Sequence, residues 1–342
     1  MSADYRSPIM EIGQGKKSGE FKSWHNNGQL WRQAFYRNGE LEGELKIWDN
    51  GGRLESQEFY HDGKLEGERK TWHDNGQLEL LEIYKDGKLE GKSHSWHDNG
   101  QLFEQKFYQD GKLEGKYESW YDNGSHYTEG FRRNGKLEGE HKIWHNNGQL
   151  WKKELYRDGK REGEYTSWHS HGGVYEQKFY QDDKLEGKCV IMYGNGQVGI
   201  LEFYRNGERE GERKYWYPDG QLQSQEFYRN GNLEGEFKLW HENGQSHVRS
   251  FYQNGKSHGT RKCLRENGHP WEIEVYQAGK LNGKCKYWHD GEFYHQFFRM
   301  GEPVSDDFSF SLVFLRIIRG CKKRAINSAN IPLIPDLKNI VF

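Results

Sequence analysis

The phrase WHDNGQL occupies Trp72–Leu78 and returns at Trp96–Leu102, and WHNNGQL stands at Trp24–Leu30 and Trp144–Leu150, always a multiple of 24 residues apart. A chain with so strict a period folds as a stack of equivalent units, each of which buries its surface against its neighbours. One column of the repeat runs Trp24, Trp48, Trp72, Trp96, Trp120, Trp144, Trp168, Met192, Trp216, Trp240, Leu264 and Trp288, so ten of its twelve positions are Trp. The remaining tryptophans, Trp31, Trp151 and Trp271, share a second phase seven residues further on. A glycine column that includes Gly43, Gly67, Gly91, Gly115 and Gly139 runs from Gly19 to Gly283 without a break.

The unit reads G-K-L-E-G-E-x-K-x-W-H-x-N-G-Q-L-x-x-x-x-F-Y-x-D/N. Asn-Gly and Asp-Gly mark tight hairpin turns, because a type I′ turn places both central residues at positive φ. Between the turns lie runs of six to eight residues rich in Trp, Phe and Tyr, which are strand formers. Twenty-four residues hold two strands and two turns and leave no room for a helix. Each unit is therefore expected to be one β-hairpin, and about twelve of them added edge to edge make an elongated single-layer antiparallel sheet. At about 10 Å per hairpin such a ribbon spans on the order of 110–120 Å.

A two-residue turn at Asn27-Gly28 sets Trp24 opposite Trp31, Glu20 opposite Phe35 and Tyr36 opposite Gly19; a three-residue turn shifts these partners by one. With the two-residue turn, the Trp and Phe columns share one face, and stacked rings replace the burial of a second layer. The missing Gly19 side chain leaves room for a cross-strand ring. A six-bladed propeller is excluded because odd and even repeats do not alternate in character, and leucine-rich repeats because LxxLxL is absent.

Composition fits this reading. Hydrophobic residues are 33% and mean hydropathy is −1.16, too little for a thick core. Aromatics at 15% are too many for a disordered chain. The net charge of −2, with both signs interleaved, gives no strong field for nucleic acid or an anionic membrane. No signal-like leader and no membrane-spanning apolar run is read, and four scattered cysteines do not form a disulfide framework. An intracellular, cytoplasmic, unsecreted monomer is expected.

G-K-L-E-G-E-x-x-x-W followed by D-N-G and F-Y-x-D-G resembles the MORN repeat, in the variant form of bacterial antitoxin-like proteins and of giant DNA virus arrays. The resemblance covers Gly15 to Gly301. It implies an attachment or scaffold module; some such arrays bind lipid head groups, and others sit beside a catalytic domain. Residues 1–14 are expected to be an N-terminal half-repeat that blunts the edge, 15–302 the twelve MORN-like hairpins, and 303–342 a short helical cap. In that tail, Phe308 to Ile318 is nearly continuously apolar, and Arg316, Arg319, Lys322, Lys323 and Arg324 are candidate contacts for lipid or a partner.

The histidines after the Trp column, His25, His73, His97, His145, His169, His241 and His289, invite a metal. Equivalent positions lie about 10 Å apart, whereas the ligands of one zinc sit about 2 Å from it, so this ladder is read as a solvated position beside the turn, also filled by Tyr121, Tyr193 and Tyr217. The Glu column at 42, 66, 90, 114, 138 and 162 repeats with all its surroundings and offers no asymmetric acid–base pair. Cys189 and Cys285 lie four units apart, too far for a disulfide. Aromatic cages for choline-like groups would need an export signal. No catalytic residue, cofactor or metal is expected. The functional expectation is a non-enzymatic scaffold for a protein partner, including a viral factor acting in a host cell. Phospholipid attachment and an antitoxin-like immunity role rank behind it, and nucleic acid is excluded.

Overall fold

Two glycine-containing turns per repeat decide where the strands reverse, and they differ in kind. The computed structural model describes residues 16–289 and 291–304. In the WHxNGQL turn of the first repeat, the His25 N–H donates to the Gln29 carbonyl at 2.8 Å and the Gly28 N–H to the His25 carbonyl at 2.9 Å. Gly28 has φ +85° and Asn27 is not left-handed. This is a three-residue loop, a type I turn closed by a left-handed glycine. Trp24 therefore pairs with Leu30 and Ser23 with Arg32, leaving Trp31 as a bulged extra residue. The two-residue turn with Trp24 opposite Trp31 is corrected accordingly. The second turn is the type I′ hairpin that the sequence indicates: Asn38 and Gly39 have φ 53° and 89°, and Arg37 pairs with Glu40.

After the type I′ turn the strand is interrupted. Tyr60 pairs with Leu65 but Gln57 pairs with Lys70, so Glu66 and Gly67 are two extra residues in the ladder. This break explains the glycine column. Gly43, Gly67, Gly91, Gly115 and Gly139 have φ between 73° and 101°. The expected pairing of Gly19 with Tyr36 is present, and Gly139 pairs with Tyr156 in the same way. Room for a ring is not their cause, because a Cβ at Gly115 or Gly139 would meet nothing within 4 Å. The backbone conformation selects glycine there.

The chain divides into two compact units, 1–220 and 221–342. In the first, long strands follow in chain order from Gly19–Trp24 and Leu30–Arg37, through Gly139–Trp144 and Leu150–Arg157, to Gly211–Trp216. Each pairs antiparallel with its sequence neighbours. The second unit repeats the pattern from Leu222–Arg229 and Gly235–Trp240 to Glu292–Arg299 and Glu302–Val304. No helix occurs among the described residues. The strand Glu302–Val304 lies where the cap was expected to begin, because Met300 and Gly301, at φ 51° and 99°, form one more turn and Phe297 pairs with Val304. The rest of the proposed helical cap, Arg316, Arg319, Lys322, Lys323 and Arg324 with it, and the half-repeat at 1–14 lie outside the described residues.

The two faces of each sheet are unequal, and not as the ring columns imply. Phe107, Phe131 and Phe179 are 41%, 39% and 43% exposed; of the Trp column Trp24, in the first described strand, is 56% exposed, whereas Trp48, Trp72 and Trp96 are half-buried. Members of one column stand two strands, about 10 Å, apart, beyond the 4.5–7 Å of a ring contact, so rings of one column cannot stack. The packed face is the opposite one, where Leu45, Tyr117, Ser119, Glu154 and Glu202 are buried.

Gly139→Val should destabilise the fold by about 1–2 kcal/mol, the penalty of a β-branched residue at positive φ. Gly139→Asn should cost less than Val, because Asn tolerates this region. Urea melts giving Val and Asn equal effects would remove the conformational explanation.

Candidate functional site

The turns are fastened to one another across repeats. His25 Nε2 lies 2.9 Å from the Trp48 carbonyl, His73 Nε2 2.8 Å from that of Trp96, and His97 Nε2 3.0 Å from that of Trp120. In the second unit His241 Nε2 stands 3.0 Å from the Leu264 carbonyl. Tyr121 and Tyr193 do the same with a hydroxyl, donating to Trp144 O at 2.8 Å and Trp216 O at 2.6 Å. A carbonyl needs a donor, and imidazole and phenol both reach it, which is why His and Tyr alternate in this column. The solvated reading of the ladder is overturned. The next asparagine adds a second fastening: Asn27 Nδ2 donates to Asn50 O at 2.6 Å and Asn99 Nδ2 to Asp122 O at 2.7 Å.

The bulged residue completes this edge. Its ring packs on the His or Tyr of its own repeat, with centroids 4.9 Å apart for His97 and Phe103, 5.0 Å for Tyr121 and Tyr127, and 5.8 Å for His145 and Trp151. In the second Trp phase Trp31 and Trp151 are thus lids, and the first column supplies backbone carbonyls together with ring contacts such as Trp120 on His126 at 5.5 Å.

At the other edge the Glu column has a matching role. Glu42 Oε2 accepts the Asp62 N–H at 3.0 Å, Glu66 that of Asp86 at 2.7 Å and Glu138 that of Asp158 at 2.9 Å. These donors belong to the left-handed residue of the next type I′ turn. The carboxylates cap the turns.

The packed face carries charge. Glu58 accepts from Tyr60 Oη at 2.7 Å and from Arg69 Nε at 3.2 Å, and Arg69 Nη1 reaches Glu82 at 3.0 Å. The Glu-x-Tyr pair recurs at Glu82–Tyr84, Glu154–Tyr156, Glu202–Tyr204 and Glu274–Tyr276. That spacing is visible in QEFY, LEIY and KELY, a signal the ring columns overshadowed. Burial raises Glu154, but His141 Nδ1 at 3.4 Å and Lys152 Nζ at 3.2 Å outweigh it and hold its pKa at about 2. In the second unit, Arg261 Nη1 serves Glu272 at 3.3 Å and Glu274 at 3.0 Å. Burial and then the Glu274 charge push Glu272 up to about 7, against the pull of Arg261. Burial also raises the thiols of Cys189, Cys263 and Cys285, which are unpaired and buried, so none has the thiolate character of a nucleophile.

Among the described residues one acid–His group has metal-like spacing, Glu42, His61 and Asp62, whose ligand atoms lie within 4.8 Å of one another. Arg37 Nη2 already stands 3.0 Å from Glu42 and 3.1 Å from Asp62, where a cation would go. A cavity of about 640 Å³ opens between the third and fourth repeats, lined by Arg69, Glu79, Trp96, Asp98 and Phe103 among others.

Two pH effects follow. Glu154 is depressed in the fold, so its stabilisation is complete above its ordinary value of 4.5 and is lost as pH falls towards about 2. Glu154→Gln should flatten the acid limb of the stability profile. Glu272 is raised, so its contribution is complete below 4.5 and is lost as pH rises through about 7. Glu272→Gln should therefore stabilise the protein at pH 8 more than at pH 5, read as melting midpoints; an equal change at both would contradict the assigned environment. EDTA should leave the melting curve unchanged, and a drop would place an ion at Glu42, His61 and Asp62.

Six segments, 17–38, 65–86, 89–110, 137–158, 209–230 and 233–254, match the model of the MORN repeat variant. No curated protein matches the sequence. Among solved structures, one titled "Crystal Structure of TcdB2-TccC3" aligns at 12% identity and a TM-score of 0.18, over 82% of this chain and 20% of that one. "Crystal Structure of TcdB2-TccC3-Cdc42" aligns at 9% identity and 0.17, over 85% of this chain and 18% of that one. The chain spans at most a fifth of those chains, and such TM-scores carry no argument. The six matches fall on the hairpins whose turns and fastenings are described above, and the chain is a MORN-repeat protein built from the variant form of the repeat.

Proposed function

We propose that this chain is a non-enzymatic scaffold that binds a protein partner through the open face of its sheets. MORN repeats make the coarser class a repeat scaffold for protein or membrane interaction. The observation that favours protein is the composition of the open face. Phe107, Phe131 and Phe179 in the first unit, and Phe227 and Phe251 in the second, are left exposed in rows. Beside them run ion pairs along each strand: Lys46–Glu44 at 2.9 Å, Lys116–Glu118 at 2.7 Å, Lys142–Glu140 at 3.0 Å and Lys238–Glu236 at 2.7 Å.

Exposed aromatics flanked by polar groups match the anatomy of a protein interface, with apolar anchors inside a polar rim. Anionic lipid would be held by unbalanced Lys and Arg at about 1 kcal/mol each, and lysines neutralised by adjacent glutamates offer little of this. Action as a viral factor in a host cell, or as an immunity protein against a toxin, would both use such a surface.

The test is a triple substitution, Phe107→Ser, Phe131→Ser and Phe179→Ser, compared with wild type by proximity labelling in the native cell and by flotation with phosphatidylserine vesicles. The expected result is loss of a defined set of labelled proteins, an unchanged far-UV spectrum and no flotation by either form. An unchanged labelled set, or flotation lost in the variant, would reject the reading in favour of no partner on this face or of lipid.

A further inference from the structure

We propose that the cavity between the third and fourth repeats receives a guanidinium group, the arginine side chain of a partner protein. The inference rests on the reading of the chain as a protein-binding scaffold. Its starting point is a missing ring. The bulged position carries an aromatic lid in Trp31, Phe103, Tyr127, Trp151 and Tyr175, but Glu79 occupies it in the third repeat. His73 consequently has no lid from its own repeat. Thr71 and Ser95 pair across the strand with Leu80 from either side, and both are short where Ile47 and Ile143 stand in other repeats. The missing ring and the short pair together leave the cavity of about 640 Å³.

Its walls fit a flat cation. Trp96 and Phe103 provide aromatic surface, and guanidinium stacks on such faces. Glu79 and Asp98 provide charge; both are exposed, and neither forms an ion pair among the described residues. Glu79 Oε2 accepts the Thr71 hydroxyl at 3.0 Å, which fixes the carboxylate and leaves its other oxygen available. The cavity's own cation, Arg69, is neutralised by Glu58 and Glu82 at 3.2 and 3.0 Å. The local balance is therefore negative.

The chain provides its own precedent one repeat earlier. There Glu55 also replaces the aromatic lid, and Asp49 replaces the histidine. Arg53 crosses this edge, its Nε donating to Asp49 Oδ2 at 2.8 Å and its Nη1 to the carbonyl of Asp74 in the following turn. A guanidinium between an acid of one repeat and the next turn is thus already part of this edge. In the third repeat the residue equivalent to Arg53 is Gln77, and its side-chain oxygen lies against Gly100 instead. In that repeat His73 stands where Asp49 does, so its acid is Glu79, the counterpart of Glu55, and it lacks the internal cation.

The test uses the full chain, labelled on its indole nitrogens, with N-acetyl-arginine methylamide as probe and the citrulline analogue as its neutral isostere. Trp96→Phe identifies the Trp96 indole resonance. The arginine probe should shift that resonance saturably, with a dissociation constant on the order of millimolar, and the citrulline analogue should not. Glu79→Gln and Asp98→Asn should each weaken binding about tenfold, as expected for a lost charge-assisted hydrogen bond. Ser95→Leu should abolish binding by filling the space. Equal response to citrulline, equal shifts at many indoles, or full affinity in Glu79→Gln would overturn the assignment. The Phe107, Phe131 and Phe179 triple variant should still bind the probe. Loss of labelled partners in that variant reports on the scaffold reading, and the Trp96 signal reports on the cavity, so the two can fail separately.

Discussion

A hydrogen bond from a side chain in one turn to the backbone of the next turn is the contact on which each unit depends. A ladder joins strands but does not by itself order turns, whose backbone groups would otherwise be left to water. His73 to the Trp96 carbonyl and Glu66 to the Asp86 N–H close both edges of the same repeat step. Each such bond contributes about 1 kcal/mol net, and a cap on a left-handed residue also limits the alternatives open to that residue. Repeated along a unit, these small terms let thin sheets hold without a second layer.

The packed face solves the remaining problem by pairing its charges. A face made only of apolar residues would stick to its own copies when the chain is unfolded. Here carboxylates and phenols stand among the buried apolar residues, and guanidinium groups reach them from one strand away, as Arg69 does with Glu58 and Glu82. Buried ion pairs of this kind bring little net stability, but breaking one leaves an unpaired charge at considerable cost. The surface that remains apolar is the open one, where exposed phenylalanines sit among ion pairs.

Much of the fold was legible in the sequence, because Gly, Asn-Gly and ring columns recur at one period. The hairpins, the type I′ turn at Asn38-Gly39 and the pairing of Gly19 with Tyr36 all follow from it. The bulge at Trp31 did not, since Asn-Gly suits both two- and three-residue loops. The choice is made by contacts such as Gln29 N–H to Asn27 Oδ1 at 3.1 Å, which spacing does not reveal. The pairings beyond the bulge are those that spacing indicates, so which residues share a face is legible; which face packs is not, since carboxylates and phenols such as Glu154 and Tyr117 hold it. The role of the histidines is partly legible: Tyr121 and Tyr193 in the same column indicate a donor, whereas the carbonyl it meets lies a whole repeat away. The cavity beside Glu79 was not legible, because it needs two short side chains and a missing ring to coincide in space.

The fastenings also give each unit a direction. At both edges the side chain belongs to the earlier repeat and the backbone group it meets belongs to the later one, as with Asn99 and Asp122 or Glu138 and Asp158. A chain made from its N-terminus therefore presents finished turns whose His, Asn and Glu groups await a partner, and each hairpin that emerges supplies the carbonyls and the N–H they lack. Assembly becomes vectorial, a zipper with its teeth already set on the leading side. Excising one whole period, such as 91–114, would bring His73 to the carbonyl of Trp120 in place of Trp96, with every other group in register. Repeat number is thus an adjustable length, open to change in steps of one hairpin and closed to anything smaller.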